Sequence, residues 1–231
     1  MAGPKLRLWV ATNRFFVIIT YTNKKKKHTV ATRRDKPDYF SRRARHEQFV
    51  SRAVYKLADI DKRFRLLHPG QRVLDLGCAP GSWLQYLGSR VGNTGLVVGL
   101  DRQPVKVPVK PPVYFRQVDI AALDPHRLKT LTPAFDVVVS DLAPATSGIK
   151  DVDHQRSLEL ARLSWQYARV LLDEGGHYLV KVFEGPDFPG FVAEIRPHFQ
   201  QVQIVKPEGS RSDSREIYLL ARRRLKPPND V

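Results

Sequence analysis

This chain contains almost no cysteine and no long apolar segment. Cys78 is its only thiol among 231 residues, which excludes an internal disulfide and a zinc site built from several cysteines. The apolar run 15–21 is far shorter than the ~20 residues that a membrane-spanning helix requires. We therefore expect a cytoplasmic protein without membrane attachment. His154 and His177 match no metal-ligand spacing, so we predict structural roles for both and no metal site.

Acidic residues are scarce in the first quarter of the chain. The first 34 residues contain no Asp or Glu, and the first 56 hold 15 Lys and Arg against three acids. This quarter of the chain thus carries +12 of the net charge of +16. A basic arm on a near-neutral body is typical of proteins that bind a nucleic-acid backbone. A solvated extension without a partner, an organellar transit peptide, and an extension upstream of the true start are the alternatives.

From Ser51 onward, strand-like apolar runs alternate with amphipathic helical patterns. This alternation predicts an α/β fold with a mostly parallel sheet covered by helices on both faces. We predict a single domain over 35–223, preceded by a basic extension, 1–34, and followed by a basic tail, 224–231. The predicted helices are 51–67, about ten residues from Ser82, 155–172 and 188–198, and the predicted strands are 72–76, 95–100, 113–118, 135–140, 177–183, 201–205 and 215–221.

Four consecutive predicted strands end in residues suited to binding a ligand. A glycine-containing turn, 77–82, follows the first strand, and Asp101, Asp119 and Asp141 follow the next three. Ligands of open α/β sheets bind beyond the carboxyl ends of the strands. Asp101 is placed to accept hydrogen bonds from ribose hydroxyls, and Asp119 to meet an adenine amine. Each aspartate alone could instead cap a strand or helix.

The glycine turn does not have the spacing of a dinucleotide site. It reads D-x-G-x-x-P-G from Asp75 to Gly81, with Ala79 and Pro80 where a G-x-G-x-x-G loop needs other residues. Less room remains for a pyrophosphate, and the pattern fits S-adenosylmethionine better. The sequence therefore indicates this cofactor.

Five segments together resemble one family, the FtsJ/RrmJ (RlmE) ribosomal RNA ribose 2′-O-methyltransferases. The similarity extends over about 35–223 and implies a Rossmann-like methyltransferase fold. The segments are S-R-A-V-Y-K-L (51–57), L-D-L-G-C-A-P-G-S-W (74–83), S-D-L-A-P (140–144), V-K-V-F-E-G (180–185) and K-P-E-G-S-R-S-D-S-R-E-I-Y-L-L-A (206–221).

The resemblance implies two sets of functional residues. A catalytic tetrad would transfer the methyl group to a ribose 2′-hydroxyl, and a second set would contact S-adenosylmethionine. Two positions depart from the family pattern: Ser82 stands where a second glycine is common, and Ala145 where bacterial members usually have asparagine. The tetrad falls on Lys56, Asp141, Lys181 and Glu216, and the cofactor contacts fall on Gly81, Trp83, Asp101, Asp119 and Asp141.

The residues themselves support part of this assignment. Lys181 lies between Val180 and Val182 in a buried-looking strand, where an unpaired lysine would be costly. A lysine with a neighbouring cation can serve as a base or orient a hydroxyl, which we predict for Lys181. Lys56 would supply that cation or hold an RNA phosphate. Lys56 and Glu216 could equally be solvated side chains, and Trp83 could be core packing.

Other targets fit the sequence less well. Amino-directed methyltransferases carry an aromatic residue after the fourth strand, and the turn 141–144 has none. A cytosine-C5 enzyme needs a cysteine nucleophile, whereas Cys78 lies in the cofactor turn. A ribose methyltransferase acting on transfer RNA or another RNA, and an RNA-binding ribosome-assembly factor without catalysis, remain the alternatives.

The substrate implied by the resemblance is a uridine of the large-subunit (23S) ribosomal RNA near the peptidyl-transferase centre. The partner would be this RNA, within the large subunit, and we expect a monomeric enzyme. The basic arm 24–45 would then bind the phosphates that flank the acceptor. Its cations are Lys24 to Lys27, Arg33, Arg34, Arg42, Arg43 and Arg45.

Overall fold

In the computed structural model of the chain, the described residues are 39–208, 210 and 214–226. They form seven strands and five α-helices, with two short 3-10 helices at Pro125–Thr130 and Arg196–His198. The strands are β1 Arg72–Leu76, β2 Leu96–Asp101, β3 Val113–Gln117, β4 Phe135–Ser140, β5 Leu172–Phe183, β6 Phe199–Val205 and β7 Glu216–Arg224. The helices are α1 Tyr39–His46, α2 Val54–Phe64, α3 Ser82–Val91, α4 Lys150–Leu171 and α5 Phe188–Ile195.

The strands form one sheet in the order β3-β2-β1-β4-β5-β7-β6, in which only β7 runs antiparallel to its neighbours. The chain order reverses beside β1, where β2 lies on one side and β4 on the other. Such a reversal leaves a crevice at the carboxyl ends of the strands. The fold class predicted from the sequence is confirmed.

Two apolar cores cover the two faces of the sheet. Helices α4 and α5 pack on one face through residues such as Leu158 and Phe191, and α2 and α3 cover the other through Leu57 and Leu84. Because side chains alternate along a strand, each strand contributes residues to both cores. No helix in the described part of the chain is both long and apolar enough to span a bilayer.

Several elements differ from the sequence-based predictions at their ends. Helix α4 begins at Lys150 rather than 155, because the Asp153 carboxylate accepts hydrogen bonds from the backbone N–H groups of Ser147 and Gly148 and stabilises the first turn. Helix α2 ends at Phe64, since Arg65 adopts a left-handed conformation. Strand β5 begins at Leu172, five residues before the predicted start.

Two other features concern the chain termini. Helix α1 was not predicted and lies in the basic arm; its Ala44 is buried against Val54 and Tyr55. The last strand runs through Arg224, the first residue of the predicted tail. The predicted extension 1–34 and most of the arm lie outside the described residues.

A buried carboxylate joins the end of α2 to α3. Asp61 is 2% exposed. Its oxygens accept hydrogen bonds from the Leu67 N–H at 2.8 Å and the Tyr86 hydroxyl at 2.8 Å, and Arg90 Nε lies 2.9 Å away. These contacts fix α2 against α3.

We expect Asp61→Ala to lower the free energy of unfolding by about 3 kcal/mol, because it leaves the buried Leu67 N–H and the partly buried Tyr86 hydroxyl without an acceptor. Urea denaturation followed by circular dichroism measures the change. The control is Glu194→Ala, which removes an exposed ion pair with Arg162 at 3.7 Å and should cost less than about 1 kcal/mol. Equal losses in the two variants would contradict the structural role of Asp61.

Candidate active site

Strand alternation brings the candidate site residues to one face of the sheet. In register, Val139 of β4 pairs with Leu179 of β5, so Asp141 and Lys181, each two residues farther on, lie on the same face. Lys181 pairs in turn with Tyr218 of β7. Helix α2 covers this face and carries Lys56 toward it. Residues separated by 160 positions in sequence thus share one site.

The four residues of the predicted tetrad form two ion pairs. Lys181 Nζ lies 3.0 Å from the Asp141 Oδ1 and donates a 2.7 Å hydrogen bond to the Asp141 carbonyl. Lys56 Nζ donates to Glu216 Oε2 at 2.6 Å. Lys56 and Lys181 are 7% and 4% exposed. Burial of two amines at this depth requires such partners, since an unpaired buried charge is strongly unfavourable.

Asp141 is the electrostatic centre of the cluster. Burial by itself would raise the pKa of its carboxyl, but the ammonium groups of Lys181 and Lys56 and the hydrogen bonds from Tyr218 and Lys181 outweigh burial and lower the pKa. The carboxyl is therefore ionised at neutral pH. It balances part of the positive charge of the two lysines.

Tyr218 belongs to this cluster, although the sequence did not single it out. Its hydroxyl donates a 2.7 Å hydrogen bond to the Asp141 Oδ1, and its side chain is fully buried. Burial and the neighbouring Asp141 charge raise the pKa of Tyr218 well above its ordinary value, so the phenol remains a donor. The available signal was its position two residues after Glu216, on the same side of β7.

Four of the five predicted cofactor residues lie at the carboxyl ends of β1 to β4 or in the segments that follow them, namely Gly81, Asp101, Asp119 and Asp141. Gly77 has a φ of +81°, and a Cβ there would lie 3.1 Å from the Cα of Leu142, so only glycine lets these two loops approach. Gly81 has a φ of +112° and precedes α3. Asp101 accepts hydrogen bonds from the N–H groups of Ala79 and Gln103. It therefore fixes the glycine turn against the end of β2.

Asp119 and Trp83 occupy different environments from Asp101. Asp119 is exposed in the loop after β3, where it accepts from the Ala121 N–H at 2.9 Å. Trp83 is 3% exposed, donates from Nε1 to the Ala53 carbonyl and packs with its ring centroid 6.1 Å from that of Tyr218. The structure thus places Trp83 in the core behind the tetrad, the alternative considered from the sequence.

The two positions that depart from the family pattern have identifiable surroundings. Ser82 is the first residue of α3, and its hydroxyl lies 3.0 Å from that of Ser51. Ala145 lies in an exposed loop, where Arg156 donates to its carbonyl at 3.3 Å. The side chain of Arg215 donates hydrogen bonds to the carbonyls of Lys150 and Glu184. It thereby joins the segment before β7 to the start of α4 and to the end of β5.

The buried carboxylate of Asp75 is relevant to whether the crevice fits the expected cofactor. Asp75 is completely buried, and neither of its oxygens has a hydrogen-bond partner among the described residues. It shares a sheet face with Asp101 and Asp141, since its register partners are Gly99 and Val139. A ligand with a ribose and positive charges, such as S-adenosylmethionine, fits this set of acceptors. In the described part of the chain, no cluster of His, Cys, Asp or Glu could hold a metal ion.

The two histidines considered from the sequence contact main-chain groups. His154 is fully buried, with Nδ1 2.7 Å from the Phe183 carbonyl and Nε2 accepting from the Asp187 N–H. His177 Nδ1 accepts from the Arg223 N–H at 3.2 Å. These contacts are those of structural histidines.

Known proteins resemble both the sequence and the structure. The model of the FtsJ-like methyltransferase family matches residues 49–224. The curated protein "Ribosomal RNA large subunit methyltransferase E" from Desulfatibacillum aliphaticivorans is 43% identical over 183 residues, covering 79% of this chain and 88% of that protein. The protein of the same name from Bdellovibrio bacteriovorus is 41% identical over 186 residues, covering 79% and 94%.

Solved structures agree with these matches. A crystal structure of a Plasmodium falciparum protein described as a ribosomal RNA methyltransferase superposes with a TM-score of 0.68 at 32% identity, covering 78% of this chain and all of that chain. Fibrillarin from Aeropyrum pernix superposes with a TM-score of 0.52 at 15% identity, covering 74% of each chain, and shows a shared fold.

The lowered pKa of Asp141 predicts an acid-dependent contribution to stability. A carboxyl whose folded pKa lies below its ordinary value of 3.8 stabilises the protein above that value, and the contribution is lost as pH falls through the folded pKa. We expect Asp141→Asn to reduce the loss of unfolding free energy between neutral pH and about pH 3. Urea titrations at a series of pH values measure this loss of unfolding free energy. Parallel pH profiles for the variant and the unmodified protein would contradict the assignment.

Proposed function

The chain belongs to the FtsJ-like methyltransferase family, and on that premise we propose that it methylates a ribose 2′-hydroxyl in large-subunit ribosomal RNA, using S-adenosylmethionine. The observation that carries the ribose assignment is the pairing of Lys181 with Asp141 and of Lys56 with Glu216 beside the crevice. The bacterial relatives are named for the large-subunit RNA. A uridine is the proposed acceptor nucleoside.

The proposed chemistry needs an activated hydroxyl and accurate positioning. S-adenosylmethionine, when bound, supplies a methyl group already activated by its sulfonium. The ribose hydroxyl is a poor nucleophile until its proton is removed or shared with an acceptor. An in-line displacement also requires the acceptor oxygen to be held in line, and this positioning accounts for much of the rate.

We assign Lys181 as the group that orients the 2′-hydroxyl or, in the form whose amine has lost a proton to solvent, accepts the proton of that hydroxyl. Two oxygens of Asp141 hold its amine, and Tyr218 holds Asp141 in turn. Lys56, fixed by Glu216, supplies a second cation at the site or contacts an RNA phosphate. Asp141 and Glu216 thereby keep both amines in place.

The cofactor would be held by the glycine turn and by the carboxylates at the strand ends. Gly77 and Gly81 let a ligand approach the backbone, and Asp101 and Asp119 offer oxygens to a ribose and an adenine amine. Trp83 would support the wall of the crevice from the core side.

Methyl transfer from radiolabelled S-adenosylmethionine tests the function directly. Large ribosomal subunits, free 23S ribosomal RNA and transfer RNA, all from cells lacking this protein, serve as parallel substrates. We expect label in the large-subunit RNA, at a ribose 2′-oxygen when the site is mapped. Label in transfer RNA would contradict the proposed substrate. RNA binding without label would indicate an RNA-binding assembly factor without catalysis.

Lys181→Ala should slow methyl transfer by about 10²-fold or more, the usual contribution of a positioned base. Single-turnover kinetics on the large subunit measures the rate, and calorimetry should show cofactor affinity little changed. The matched control is Lys62→Ala, which removes an exposed lysine of α2 and should leave the rate near normal. A near-normal rate in Lys181→Ala would exclude the proposed role.

Neutralising the basic arm should weaken RNA binding without altering catalysis on bound RNA. Replacing Arg33, Arg34, Arg42 and Arg45 with serine removes four cations. Each lost phosphate contact should reduce the slope of log affinity against log salt by about 0.7–0.9. Fluorescence anisotropy with RNA fragments across a salt series measures this slope. An unchanged slope would show that the arm does not contact phosphates.

A further inference from the structure

Asp75 is the one described carboxylate that is buried without a partner, and the proposed chemistry does not yet use it. We propose that Asp75 is protonated in the ligand-free protein and releases its proton to solvent when the cationic part of the cofactor binds. The O–H bond of the carboxyl breaks, the proton passes to the buffer, and the positive charge of the bound ligand stabilises the carboxylate that remains. The inference rests on the proposed use of S-adenosylmethionine.

Asp75 is completely buried in β1, directly behind the crevice at the carboxyl ends of the strands. It lies in β1, between β2 and β4, and shares their side-chain face through its pairing with Gly99 and Val139. Asp101 and Asp141 lie two residues beyond these partners on the same face. In sheet order, Asp75 is therefore flanked by the carboxylate proposed for the ribose and by the one beside the reacting group.

The packing around Asp75 leaves it no counterion. A Cβ on Gly99 would lie 2.7 Å from a Leu84 methyl carbon and 2.9 Å from the Cys78 sulfur, so these side chains pack tightly against the sheet beside Asp75. Cys78 is itself neutral, because burial raises the pKa of its thiol. No described residue donates a hydrogen bond to Asp75.

Burial and the neighbouring carboxylates both favour the neutral form of Asp75. Burial raises its pKa well above the ordinary value, and the negative charges of Asp141 and Asp101 raise it further. The lysines of the tetrad do not reverse this, since their partners are Asp141 and Glu216. An ionised Asp75 would be a fully buried negative charge close to the partly exposed carboxylates of Asp101 and Asp141.

A bound cation changes this balance. S-adenosylmethionine carries an ammonium and a sulfonium, and positive charge close to a carboxyl favours its ionised form. The pKa of Asp75 is then lower in the complex than in the free protein. Between the two pKa values, binding releases up to one proton and affinity rises about tenfold per pH unit. Above both values, binding releases none.

Isothermal titration calorimetry with S-adenosylmethionine tests the proposal. Titrations at a series of pH values, each in buffers that differ in ionisation enthalpy, give the number of protons released from the slope of the observed enthalpy against the ionisation enthalpy of the buffer. We expect net release from the unmodified protein and none from Asp75→Asn, whose neutral amide mimics the protonated carboxyl. The control Cys78→Ala removes the other buried titratable group of the turn and should still release the proton.

Infrared difference spectra provide a second measurement that needs no variant. The band of a protonated buried carboxyl should disappear when S-adenosylmethionine is added. A buffer-independent enthalpy with no change in this band, or proton release that persists in Asp75→Asn, would overturn the inference. If the cofactor binds and ribose is methylated without proton release, only this inference fails. If the protein does not bind S-adenosylmethionine, the proposed function fails as well.

Discussion

The buried pair between Lys181 and Asp141 is the interaction on which the site depends. An amine that is 4% exposed is tolerated only because two oxygens of one residue hold it. Asp141 in turn stays ionised because Lys181, Lys56 and Tyr218 surround it. Burying any one of these groups without the others would be unfavourable. The same compensation that allows the fold to bury charge therefore also fixes the positions of the two amines that we propose take part in methyl transfer.

Much of the fold was predictable, because local patterns determine it. Strands β1 and β4 have the predicted bounds, since both are short apolar runs that end in polar or glycine residues. The family prediction is also confirmed. Lys181 was identifiable from its valine neighbours alone, since a charge inside an apolar strand needs a partner. Which residue provides that partner depends on strand order, which the residues beside Lys181 do not encode.

The parts that sequence reasoning missed depend on long-range contacts. Tyr218 gains its role only because β7 inserts antiparallel beside β5. In the sequence, Asp75 is simply the first aspartate of the glycine-turn motif. Only the structure shows that it is buried and that no described residue donates a hydrogen bond to it. The burial of Trp83 and its hydrogen bond to the Ala53 carbonyl could not be read from the sequence, because Ala53 lies 30 residues away. The start of α4 depends on Asp153 reaching back to a preceding loop.

The antiparallel strand β7 has a consequence for how the protein is made. It supplies both Glu216 and Tyr218, while Lys56 comes from the first helix beside the sheet. Strands β1 to β5, including the strand ends that border the crevice, are translated before β7. The cluster of charges closes only when the ribosome has passed Tyr218 and the strand has inserted between β5 and β6. Synthesis of this protein therefore completes the proposed catalytic cluster after the strands that border the crevice.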